Sequence, residues 1–182
     1  MPLAPVFLVV ATQNPVEFEG TYPLPEAQLD RFLFKLLVAY ADAETEGEVL
    51  RRYHRGFDPH DLAGAGVQPV LDHTGLLAAR AEVQAVAVDE AIVDYTTRLV
   101  RATRESPDLV LGSSVRGAIA LLLAAKALAA VRGRTYVVPD DVKELARPAL
   151  RHRLLLQPEA EIQGLSADDA LERVLGGLEV PR

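Results

Sequence analysis

Cysteine is absent from these 182 residues, which excludes disulfide stapling, a thiol nucleophile and a cysteine-ligated zinc site. Lysine is scarce: Lys35, Lys126 and Lys143 are the three present, and none follows a glycine. The phosphate-cradling pattern G-x-x-x-x-G-K-[ST] is therefore missing. The histidines at 54, 60, 73 and 152 lack metal-ligand spacing. No apolar run is long enough to span a bilayer; the longest, Ala118 to Val131, is interrupted by Lys126 and predicts a buried helix. No charged-then-apolar leader opens the chain, which points to the cytoplasm. Positive charge is in deficit, with 19 basic against 26 acidic residues and a net charge of −7, the wrong sign for a protein that grips nucleic acid. What is there is 49% hydrophobic and 25% charged, enough to build a packed core.

The pattern changes near Asp42. Upstream, Val6–Val10 is a short apolar, β-branched run that predicts a buried parallel strand, and Phe34–Ala39 predicts a second. A loop with Pro15, Gly20, Pro23 and Pro25 and a short helix, Glu26 to Arg31, connect them. Downstream, helical period dominates. Glu44–His54 and Gly75–Gln84 predict helices on either side of a Gly/Pro-punctuated loop. Asp89 can cap a helix from Glu90 to Arg104, with Ile92, Val93, Leu99 and Val100 on one face. Ser113 or Ser114 caps the apolar helix, in which Leu121, Leu122 and Leu128 should be buried, and Gly133 stops it. Val137-Val138-Pro139-Asp140-Asp141 starts another helix, with Pro148 expected to bend or break it. Ser166–Leu175 is the last. The expected fold class is mainly α: a remnant of an α/β core with two parallel-type strands in residues 1–41, then a helical bundle in residues 42–182.

Three residues are candidates for chemistry, each with a plain alternative. Asn14 lies just beyond the first strand, where open α/β sheets bind ligands, and an amide there can hold a water or a γ-phosphate oxygen. It also suits a turn before Pro15. Arg31 ends the short helix, where the dipole favours a cation and accounts for it adequately; the functional alternative is an arginine finger. Arg116 lies in GSSVRG, in the first turn of the apolar helix, where the dipole disfavours a cation. It makes sense there if a phosphate visits the free N–H groups, or if an acidic side chain pairs with it. Val86-Ala87-Val88-Asp89-Glu90 imitates an Mg²⁺-binding acidic motif, but Asp89 is better explained as a cap. Arg151-His152-Arg153 is a compact basic spot suited to packing or an interface.

Taken in order, ATQNP, GTYPLPEAQLDRF, GSSVRG, RGRTYVVPDDV and LRHR resemble the MoxR family of AAA+ ATPases, from about Val6 to the end of the chain. The resemblance implies that Asn14 is the sensor-1 residue reading the γ-phosphate. It implies that Arg31 is a finger acting on a neighbouring subunit's nucleotide, and that Arg116 is the sensor-2 arginine of a helical lid. It further implies ATP and Mg in the complete ATPase and a homo-oligomeric ring, and either chaperone-like remodelling of client proteins or metal-cofactor insertion into them. Two departures stand beside it. The phosphate loop and the Mg-binding acidic pair would precede residue 6 in such a family, so neither ATP nor Mg should bind tightly to this chain alone. Val115 stands where family members often carry proline. The alternative from a different class is a non-catalytic helical interaction module derived from such a lid.

Overall fold

Capping side chains mark where several of the helices begin in the computed structural model, which describes residues 6–13 and 24–181. The chain falls into two units, one formed by the described residues up to Lys35 with those from Arg80 onward, the other by Leu36–Ala79.

In the first unit, helix α4 (Glu90–Glu105) starts where Asp89 accepts a hydrogen bond from the Ala91 N–H at 2.9 Å. Asp89 is thus a cap. The buried face of α4 is Ile92, Tyr95, Thr96, Leu99, Val100 and Thr103, the stripe expected of 3.6-residue periodicity. Helix α5 (Val115–Val131) is capped by Ser114, whose hydroxyl accepts from the Arg116 N–H. Its buried face is mostly small, with Ala120, Ala124, Ala125 and Ala129 around Leu121, which lets neighbouring backbones come close. Gly133, at φ +70°, ends it by adopting a conformation that costs other residues more. Helix α6 (Pro139–Leu150) carries its proline at N1. Helix α8 (Ala167–Gly176) opens with a reciprocal box between Ser166 and Asp169. Tyr95, Leu99, Leu121, Val142, Leu150 and Leu171 interlock as one core contributed by α4, α5, α6 and α8.

Two further details complete this unit. A short antiparallel pair joins β1 (Leu109–Leu111) to β2 (Leu155–Leu156), and α7 (Pro158–Ile162) follows. Asp141 in α6 is fully buried and bound by Arg134 at 2.5 and 2.8 Å, by Arg132 at 3.3 Å and by the Val138 N–H at 2.9 Å. Burial pushes its carboxyl up, but the Arg134 and Val138 hydrogen bonds and the charges of Arg134 and Arg132 outweigh that and hold it below the usual carboxylate value. The RGRTYVVPDDV stretch is accounted for by this lock.

The second unit holds α2 (Ala43–His54), capped by Asp42 onto the Thr45 N–H at 2.8 Å, and the boundary of the unit falls within α3 (His73–Ala85). None of its residues is buried.

The mainly α class with a helical bundle stands, and three local expectations are corrected. Val6–Val10 and Phe34–Ala39 carry no strand structure. A strand exists only through its ladder, and β-propensity cannot substitute for a partner. The α6 helix runs through Pro148: the missing N–H removes one bond close to the helix end, and the Pro148 carbonyl accepts from the Lys35 N–H at 2.9 Å. Leu121 is fully buried, whereas Leu122 and Leu128 are only partly so, because alanines supply the innermost face of α5.

Candidate functional site

Residues 24–35 lie against the bundle as a single turn of helix followed by irregular chain. Pro25 precedes α1 (Glu26–Leu29), which is shorter than expected and stops with Asp30 as its C-cap. Arg31 follows in the turn and is exposed, its N–H donating to the Gln28 carbonyl at 3.2 Å. Asn14 lies outside the described residues.

Arg116 has found a carboxylate. Its Nη1 donates to Asp30 Oδ2 at 2.8 Å while the side chain stays 56% exposed. The Ser114 hydroxyl also reaches Asp30 Oδ2, at 3.4 Å. The unfavourable placement of a cation in the first turn of α5 is thereby offset by a residue 86 positions away. The remaining oxygen, Asp30 Oδ1, accepts from Arg153 Nε at 2.9 Å. One carboxylate therefore joins the arginine of GSSVRG, the arginine of LRHR and the turn that carries Arg31.

Arg153 is a residue that sequence reasoning placed only as a basic spot. It lies in the 3₁₀ turn Arg151–Arg153, its side chain 2% exposed. Besides Asp30 Oδ1 it donates to the carbonyls of Asp30 (2.9 Å), Phe32 (2.6 Å), Leu33 (3.3 Å) and Ala149. Burial lowers the affinity of the guanidinium for its proton, and the Asp30 hydrogen bond and charge oppose that. His152 Nε2 lies 3.0 Å from the Phe32 carbonyl, and its buried Nδ1 has no partner among the described residues. Burial holds this imidazole below its usual value, partly countered by the Phe32 hydrogen bond. Arg151 pairs with Asp168 at 2.8 and 3.0 Å. A signal for this role was available: a basic triplet directly after the apolar end of a helix, Ala149-Leu150, is costly to bury and needs acceptors.

Both glycines of GSSVRG lie where a side chain would clash, Gly117 beside Arg153 and Gly112 against the end of α4. A Cβ on Gly117 would lie 2.0 Å from Ser113 Oγ and 3.0 Å from Arg153 Cδ, and one on Gly112 would lie 2.6 Å from the Thr103–Arg104 backbone. Among the described residues no group of His, Asp or Glu could hold a metal ion. An open cleft of about 420 Å³ lies elsewhere, lined by the end of α4 and by Arg173, Val174 and Leu178. No described helix is long and apolar enough to cross a membrane.

Two family descriptions match the chain: "AAA lid domain" over residues 101–174 and "ATPase family associated with various cellular activities (AAA)" over residues 1–34. Across its whole length the chain is 44% identical to the uncharacterized protein YeaC of Bacillus subtilis and covers 55% of it. It is 40% identical to the chaperone MoxR1 of Mycobacterium tuberculosis, covering 48% of that protein. The chain is a partial, MoxR-like AAA+ region. A solved structure of a candidate ATPase from Cytophaga hutchinsonii superposes on the whole MoxR-like chain with a TM-score of 0.88 at 40% identity, the chain covering 56% of it. This MoxR-like region thus spans about half the length of the curated relatives it matches. The lid match ends within α8 and contains GSSVRG and the Arg151–Arg153 turn.

Proposed function

We propose that this chain is the sensor and lid portion of a MoxR-type AAA+ ATPase, working in the cytoplasm as part of a homo-oligomeric ring. ATP hydrolysis by that ATPase is coupled to chaperone-like remodelling of client proteins or to metal-cofactor insertion into them. Residues 1–41 act as the end of the nucleotide-binding core and residues 42–182 as the lid. In this reading Asn14 orients the attacking water, Arg31 reaches a neighbouring subunit's nucleotide and Arg116 reads the phosphates from the lid.

The observation that carries the reading is the Asp30 carboxylate, which brings the exposed Arg116 guanidinium to the residue next to Arg31. An exposed guanidinium at the start of a helix suits phosphate oxygens, because its charge and the neighbouring N–H groups attract anions and its fork can bind two oxygens. The one carboxylate here, Asp30, has both oxygens engaged by arginines, which does not suit Mg²⁺, a cation that takes several hard oxygen ligands in octahedral geometry. ATP and Mg²⁺ would therefore be held mainly by a phosphate loop and acidic pair elsewhere in the ATPase. Arg116 would move from Asp30 to a phosphate when the nucleotide arrives.

In the intact ATPase, Arg31→Ala should abolish turnover while leaving nucleotide binding nearly unchanged. A finger contacts charge that develops in the transition state and contributes roughly 10³–10⁵ in rate. Mutant subunits mixed into wild-type rings should suppress their neighbours. Unchanged turnover by Arg31→Ala would overturn the assignment and favour a non-catalytic interaction module. This chain alone should not bind ATP–Mg²⁺ tightly, and a micromolar Kd by isothermal titration would contradict that.

A further inference from the structure

We propose that Arg153 is the positioning residue for Arg31: it fixes the backbone on both sides of the finger, whatever Arg116 is bound to. The inference rests on the finger reading of Arg31 given above. Its physical basis is how a buried cation spends its donors. Arg153 is almost fully enclosed, and removing a guanidinium from water is costly unless every N–H is used. Its hydrogen bonds go mainly to residues 30–33: the Asp30 carboxylate and the carbonyls of Asp30, Phe32 and Leu33. One more goes to the Ala149 carbonyl, near the C-terminal end of α6, where helix carbonyls lack partners of their own.

The Asp30 carbonyl belongs to the peptide just before Arg31 and the Phe32 carbonyl to the peptide one residue beyond it, so the backbone is tied to the bundle on both sides of Arg31 while the Arg31 side chain remains exposed. An apolar side chain of the same volume could fill the space under the turn. It could not orient three carbonyls. The surroundings are shaped for the guanidinium stem as well, since Gly117 leaves the room that a Cβ would take from Arg153 Cδ. His152 adds a contact to the Phe32 carbonyl, and the Lys35 N–H bonds to Pro148 just beyond the turn.

Asp30 separates this clamp from the nucleotide reader. Arg153 holds Oδ1 from the buried side and Arg116 holds Oδ2 from the exposed side. If Arg116 leaves for a phosphate, Oδ2 keeps only the Ser114 hydroxyl while Oδ1 and the three carbonyls stay bound. The lid arginine can exchange partners without releasing the turn.

Hydrogen exchange on the full 182-residue chain tests the clamp without any ATPase activity. In Arg153→Lys, which keeps the charge but loses the fork, the Phe32 and Lys35 amides should exchange about tenfold faster, with the α5 amides unchanged. Arg153→Met should loosen the same amides, although its volume fills the site. Retained protection of Phe32 and Lys35 in both variants would overturn the proposal, as would equal loosening of α5 in Arg153→Lys. In the intact ATPase, Arg153→Lys should lower kcat by roughly 10²-fold with KM for ATP unchanged. The double variant with Arg31→Ala should be no slower than Arg31→Ala alone; additive losses would refute positioning. If Arg31→Ala proves harmless, the finger reading fails by itself, and the exchange experiment still decides whether Arg153 holds the turn.

Discussion

Helices α2 and α4 both place apolar side chains along one face and meet opposite ends. On α4 the stripe from Ile92 to Thr103 is buried. On α2, Val49, Leu50 and Tyr53 are 47%, 72% and 54% exposed, and no residue of that helix is buried. The difference is not in local signals. Helix α2 is well provided: Asp42 caps it, Glu48 pairs with Arg51 and Arg52 one turn on, and Arg51, Arg52 and His54 occupy the last turn. An amphipathic pattern says which face of a helix wants cover. Only the rest of the fold supplies it.

The largest contrast should come from leucines. Leu121→Ala removes a fully buried side chain and should cost about 2–5 kcal/mol, seen as a lower denaturant midpoint. Leu50→Ala on α2 should stay within about 0.5 kcal/mol. A large loss at Leu50 would mean that α2 is covered in solution. Leu122→Ala should fall between the two, since Leu122 packs on the core but is only partly buried.

Acid should sharpen the contrast next. His152 and Asp141 belong to the first unit, and both have lowered proton affinity when folded. For each, the unfolded chain binds protons more readily, so stability is full above the unfolded value and falls with pH toward the folded one. The first loss belongs to His152 and begins below about pH 6.5; that of Asp141 begins below about pH 3.9. Thermal unfolding followed at pH 7, 6 and 5 should show a falling midpoint. His152→Gln, which can still donate to the Phe32 carbonyl, should flatten that part of the curve. A midpoint constant from pH 7 to 5 would count against a buried neutral imidazole.

The smallest effect should come from Asp42→Ala. It removes a cap from a helix that lacks buried cover, so backbone chemical shifts over 43–54 should lose helicity while the midpoint of the first unit stays put. Coupled loss in both units would contradict this independence.

Much of this contrast is local and was legible in the chain. Asp89, Ser114, Pro139 and Ser166 mark their helix starts because caps act within three residues. The strands assigned to Val6–Val10 and Phe34–Ala39 failed because a ladder is a long-range property. β1, β2 and α7 were missed because two to five residues are too few to show a period. The candidate site divides in the same way. That Arg116 was out of place in its first turn could be read directly, but both a phosphate and a carboxylate answered the need. Choosing Asp30 required a contact spanning 86 positions. Arg153 was visible as a charge and hidden as a clamp, since its acceptors lie some 120 residues earlier.

Tyr95 offers one practical consequence of how the core is built. It is fully buried on α4, with Arg98 6.0 Å from its ring centre, while Tyr40, Tyr53 and Tyr136 are all more than half exposed. The chain has no tryptophan to mask the phenols. Near-ultraviolet circular dichroism depends on aromatic rings held in fixed asymmetric surroundings, so among the described tyrosines much of that signal should come from this one ring. The molecule thus carries its own optical reporter: melting followed through tyrosine ellipticity would record loss of the α4–α5–α6–α8 core and be nearly blind to events in residues 36–79.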